Sequence, residues 1–88
     1  MAKAAVELST GARRDYERLY RTDRRLFERV DRALDRLADD PQAGKLLHGP
    51  LAGRRALRVG PLRIIYRHFS NKLLVFVLDI SQRGQAYQ

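Results

Sequence analysis

With 88 residues, of which 44 % are hydrophobic, the chain has material for one small domain and one modest core, and a single domain over residues 1–88 is expected. It has no cysteine, which excludes disulfides and thiolate chemistry and agrees with a reducing cytosol. Eighteen basic residues against ten acidic ones give a net charge of +8, which leaves nucleic acid, an acidic protein or an anionic membrane surface as partners.

In chain order, the N-terminal residues Met1 to Ala5 lack the apolar stretch of a signal peptide, and no later run has the length of a membrane span, so no membrane role is expected. Ala5 to Leu8 alternates apolar and polar residues and suits an edge strand. Ser9 and Thr10 are suitable caps for a helix whose apolar face is Ala12, Tyr16, Leu19 and Tyr20. Thr22 or Asp23 then opens a longer helix with the stripe Leu26, Phe27, Val30, Ala33, Leu34 and Leu37, and Pro41 marks its end. Its remaining faces mix arginines with acids, the pattern of a solvated helix. Residues 42–53 (QAGKLLHGPLAG) read as a loop anchored by Leu46, Leu47 and Leu51. Three strands follow at Arg54–Val59, Leu62–His68 and Lys72–Ile80, joined by the short turns Gly60-Pro61 and Ser70-Asn71. The apolar run Leu73 to Leu78 suggests a central strand. The expected fold is α+β, with two N-terminal helices packed on one face of an antiparallel sheet in the order βααβββ.

Charge is concentrated in the strands. From Arg54 onward there are seven basic side chains (Arg54, Arg55, Arg58, Arg63, Arg67, Lys72, Arg83) and one acid, Asp79. Because successive strand residues point to opposite faces, placing Leu57, Val59, Leu62, Ile64 and Tyr66 toward the helices leaves Arg54, Arg58, Arg63 and Arg67 on the open face. In the last strand Phe76, Leu78 and Ile80 are the expected core positions, with Val77, Asp79 and Ser81 on the open face and Arg83 following in register. Arginine suits such a face, since its planar fork binds phosphate bidentately and stacks on bases.

Metal chemistry is not expected, because His48 and His68 lie in no ligand-spaced motif and no paired carboxylates accompany the arginines. No cofactor motif is present either. What such a face can support is scission of RNA through its own 2′-hydroxyl, with arginines stabilising the developing phosphorane charge. Arginine itself is a poor general base, and the sequence does not name one.

The segments RALRVGPLRIIYR and LLVFVLDISQRGQAY resemble the RelE/ParE toxin superfamily of bacterial toxin–antitoxin modules. The resemblance runs from Ala12 to Tyr87 and is most specific from Leu57 onward. It implies a small βααβββ, RelE-like fold and a cytoplasmic toxin neutralised by a cognate antitoxin, with operator DNA contacted only through the antitoxin complex. In the RelE branch it implies a ribosome-dependent mRNA endonuclease (an mRNA interferase) that needs no metal. Carried over by position, the catalytic set is Arg58, Arg63, Arg83 and Tyr87. Arg63 would hold the scissile phosphate, Arg83 would act as general acid, and Tyr87 would stack on or orient the substrate. Arg54, Arg55 and Arg67 are the further RNA contacts expected. Two positions depart from the pattern: Gln82 stands where many members have histidine, and Ala56 where a second basic residue is common. The alternatives are a ParE-like inhibitor of DNA gyrase and a catalytically weak module that binds nucleic acid or antitoxin.

Overall fold

A computed structural model describes residues 3–82 of the chain. The order of elements is β1 (Ala5–Leu8), α1 (Thr10–Thr22), α2 (Arg24–Asp39), β2 (Lys45–Leu46), β3 (Arg55–Val59), β4 (Leu62–Phe69) and β5 (Leu74–Gln82). Short 3₁₀ turns occupy Gly49–Leu51 and Ser70–Lys72.

Both helices begin where capping chemistry places them. The Ser9 hydroxyl accepts from the Ala12 amide at 3.1 Å, and the Asp23 carboxylate accepts from the Leu26 amide at 3.1 Å, each satisfying one amide left over at a helix start. One residue separates the helices, so they form a tight hairpin. The Tyr16 hydroxyl donates to Asp31 Oδ1 at 2.6 Å and ties them together. Burial and the neighbouring carboxylate raise the Tyr16 pKa to about 12. Ala12, Val30 and Leu37 are fully buried and Leu34 nearly so, as their helical spacing predicts. Burying a leucine such as Leu37 stabilises the fold by roughly 1.5–3 kcal/mol. Tyr20, expected on the apolar face, is instead 50 % exposed: it lies in the last turn of α1 and packs edge-on to the half-buried Phe27.

The five strands run in the order β1-β5-β4-β3-β2. The hairpin-linked strands pair antiparallel, as expected, whereas β1 lies parallel to β5 with Ala5 opposite Leu74 and Leu8 opposite Val77. The sheet is therefore mixed. A hairpin turn forces antiparallel pairing, but β1 reaches β5 only through both helices and the other strands, so no turn dictates its direction. β5 lies between β1 and β4, the inner position that its apolar run suggested. The loop after α2 contains the two-residue strand β2, which pairs with β3 through Lys45–Ala56 and Leu46–Arg55. Leu46 is 44 % exposed and is not the anchor expected of it.

The parity of β5 differs from the sequence reading. Val75 and Val77 are fully buried beneath the helices, while Phe76 and Leu78 are only half-buried. A register shift causes this: Ile65 faces Asp79 and Tyr66 faces Val77, so Leu78 is an extra, bulged residue. Beyond the bulge the alternation is restored, with Ile80 in the core and Asp79 and Ser81 on the open side. Ser9 secures the irregularity, its amide donating to Val77 O and its hydroxyl to Leu78 O, both at 2.9 Å. The same residue therefore caps α1 and supplies a donor to the bulge.

Tyr66 performs a similar task from β4. It is fully buried, donates its hydroxyl to Pro41 O at 2.7 Å and accepts from the Gly44 amide at 2.9 Å. Burial raises its pKa above the usual tyrosine range, so the hydroxyl stays protonated and able to donate. A side chain at Gly44 would meet that hydroxyl at 2.7 Å, which explains the glycine there.

Candidate nucleic-acid interface

The face of the sheet away from the helices is ordered by register into four rows. The first crosses the β3–β4 hairpin end as Arg58, Arg63 and Ser81. Lys45, Ala56, Ile65 and Asp79 make the second. The third holds Arg67, Phe76 and Glu7, and the fourth Phe69, Leu74 and Ala5. Cations dominate one end of the face and aromatic rings the other.

Arg58 is exposed and makes no ion pair or hydrogen bond with any described residue. It stands directly opposite half-buried Arg63 across the hairpin, so two guanidinium groups lie on neighbouring strands. Ser81 donates to Asp79 Oδ2 at 2.7 Å, which holds the one carboxylate of the first two rows beside Arg63. Arg67 is exposed, and its guanidinium carbon lies 5.4 Å from the centre of the Phe69 ring. Arg54 precedes β3, with its carbonyl accepting from the Leu47 amide at 2.8 Å, and shares the strand parity of Ala56 and Arg58. A Cβ on Gly53 would lie 3.6 Å from Arg67 Nη2, so Arg67 reaches back to the residue beside Arg54. The structure thus brings Arg54, Arg58, Arg63 and Arg67 to one face.

Arg55 does not join them. Odd-numbered β3 residues face the helices, and Arg55 Nη1 donates to Gly44 O at 2.9 Å, bracing the loop that Tyr66 holds. Its expected RNA contact is replaced by a structural one. Arg83 and Tyr87 lie outside the described residues. His48 is exposed in the loop, and His68 is half-buried on the helix side of β4.

Two groups of cations escaped the sequence reading. Lys45, read as loop, is registered against Ala56 and places an exposed ammonium beside the position where a basic residue was missing. Arg29, Arg32 and Arg36 of α2, read as a solvated face, line a groove of about 280 Å³ together with Leu57, Arg58 and Val59. Arg29 also overhangs the hairpin turn, since a Cβ on Gly60 would meet its Nη1 at 2.8 Å. Their spacing carried a signal: Arg25, Arg29, Arg32 and Arg36 recur at i, i+4, i+7 and i+11, which is one stripe of a helix. Basic surface therefore continues around the β3 edge from the open face to α2.

Comparison with known proteins adds a family to this geometry. The sequence pattern of the family described as "ParE toxin of type II toxin-antitoxin system, parDE" matches residues 6–87. The chain belongs to this family of toxins, within the RelE/ParE superfamily. No curated protein sequence matches the toxin significantly. Among solved structures it is similar to a chain of the RelBE2 toxin–antitoxin complex from Mycobacterium tuberculosis, at 29 % identity and a TM-score of 0.79 over 92 % of this chain and 99 % of that one. It is also similar to a YoeB/ParE toxin from Agrobacterium tumefaciens, at 24 % identity and a TM-score of 0.81, covering 90 % of this chain and 98 % of that one. A chain of the intact E. coli RelBE complex shares the fold at 20 % identity and a TM-score of 0.74, over 93 % and 99 % of the two chains. The two helices against a sheet thus reproduce the architecture of RelE-like toxins. No helix among the described residues of the toxin is long and apolar enough to cross a membrane.

Proposed function

We propose that this type II toxin acts as an mRNA endonuclease on the ribosome, with the open sheet face as its RNA-binding surface. The observation that carries the reading is the convergence of Arg54, Arg58, Arg63 and Arg67 on one helix-free face. In this reading the 2′-oxygen of the message attacks the adjacent phosphorus, its proton passes to an acceptor, and the bond to the departing 5′-oxygen breaks. Arg58 and Arg63, opposite one another, straddle the phosphate and offset the charge that builds on its equatorial oxygens. Arg83 protonates the departing oxygen, and Tyr87 stacks on or orients a base. Lys45 supplies the positive charge that Ala56 cannot. The partner that silences the toxin is an acidic, partly disordered antitoxin segment, in keeping with the charge of +8 and with the toxin–antitoxin complexes among the similar structures.

The matched family's name favours a second reading, inhibition of DNA gyrase. Primer extension on a defined message during toxin expression separates the two. The endonuclease reading expects codon-phased cuts that vanish in the double variant Arg63→Ala with Arg83→Ala, together with the growth arrest. Growth arrest with intact message and blocked supercoiling would replace it with the gyrase reading.

A further inference from the structure

The far end of the open face carries apolar rings that the proposed chemistry does not use. Phe69 and Phe76 belong to adjacent strands and occupy neighbouring rows, with Arg67 directly opposite Phe76. Both rings are half-buried, and neither belongs to the core cluster or to the residues packed against it. Two cations flank them: the Arg67 guanidinium carbon lies 5.4 Å and Lys72 Nζ 5.7 Å from the Phe69 ring centre. Leu73, next to Lys72, is 49 % exposed and sits in the left-handed region at φ 50°, a conformation that leucine adopts only at a cost. The turn therefore displays apolar surface beside positive charge although backbone strain opposes it.

We infer that Phe69 and Phe76, with Arg67 and Lys72, form a base-stacking subsite for single-stranded RNA, separate from the Arg58–Arg63 pair that would hold the scissile phosphate. Arg63 and Phe69 are six residues apart on β4, roughly 20 Å at the rise of a strand. That distance is room for a few nucleotides of extended chain. Aromatic platforms interleaved with cations bind single strands by this division of labour, rings against base faces and cations against phosphates. A protein helix lying on the same surface would need a continuous apolar groove. Here cations alternate with the rings, and Glu7 stands in register with Phe76. The Glu7 carboxylate repels a phosphate from that position and accepts from an exocyclic amine, so a base and not the backbone belongs over Phe76.

This inference rests on the RNA-binding reading, and its test separates the two. The probe is a fluorescent, 2′-O-methylated hexanucleotide that cannot be cut, titrated at several salt concentrations with the intact toxin and its variants. Phe76→Leu and Phe69→Leu keep the apolar bulk, so they keep the fold, and each is expected to weaken binding roughly tenfold with an unchanged salt slope. Lys72→Ala is expected to lower the salt slope by about one. A 2-aminopurine at one end of the probe is expected to be quenched by the toxin and released by Phe76→Leu. Unchanged affinity in both phenylalanine variants, with Arg58→Ala still weakening the complex, would overturn the subsite and leave the RNA reading standing. No binding by the unaltered toxin would overturn both. Loss of antitoxin binding with RNA binding intact would assign the rings to a protein partner and end the proposal.

Discussion

The two faces of the sheet are built from the same strands, yet they obey opposite rules. On the helix side, Val59, Leu62, Ile64, Tyr66, Val75, Val77 and Ile80 are buried at 7 % exposure or less, and the one hydroxyl among them has both its donor and its acceptor engaged. On the other side, Arg58 faces Arg63 across a hairpin, and cations alternate with aromatic rings. The first arrangement lowers the energy of the isolated chain. The second adds little to that stabilisation, since exposed cations and half-buried rings contribute far less than a packed core. A surface that contributes little to folding can be shaped by what it binds, whereas the buried one answers to packing.

That contrast can be broken face by face. The largest effect is expected at Ile64, fully buried in the middle strand: Ile64→Ala should cost about 2–5 kcal/mol in urea unfolding. Tyr66→Phe keeps the ring but strands the Gly44 amide and the Pro41 carbonyl, and a loss of about 1–3 kcal/mol is expected in the same measurement. Across the sheet, Arg58→Ala should leave stability within about 0.5 kcal/mol of the parent. Its effect appears in RNA binding, where the salt slope should fall by about one. A destabilised but fully binding Arg58→Ala protein would invert the division between the faces. The smallest effect is a titration at the helix hairpin. The Tyr16 pKa is raised from about 10 to about 12 in the folded state, so folding favours the protonated phenol. Its contribution is complete below pH 10 and lost as pH rises toward 12, and Tyr16→Phe should remove that part of the alkaline decline.

Most of the helix side was legible before the structure, because periodicity and caps act locally. Ser9 and Asp23 declare the helix starts, and the stripe from Val30 to Leu37 declares the buried face of α2. The β3–β4 hairpin was equally plain, since its turn lies between two alternating segments. What stayed hidden depends on a neighbour. The bulge at Leu78 adds one residue inside an apolar run, where either parity looks reasonable, so only the pairing with Ile65 and Tyr66 reveals it. Lys45 reaches the open face through two residues of pairing inside a glycine-rich loop. Arg55 had the charge of a binding residue and the parity of a bracing one, and the parity decides. The open face itself followed from alternation in β3 and β4, which is why four of its arginines were expected where they are found.

The bond from Ser9 to Leu78 spans 69 positions, and the pairing of Ala5 with Leu74 spans as many. The first strand thus has no place to dock until the last has been made. During synthesis the helix hairpin and the β3–β4 hairpin are assembled from near neighbours, but closure of the sheet waits for β5 to leave the ribosome. The face that carries Arg63 gains Asp79, Ser81 and Phe76 only at that moment. The open face of a nascent toxin therefore stays incomplete until β5 has emerged from the machine it is proposed to attack.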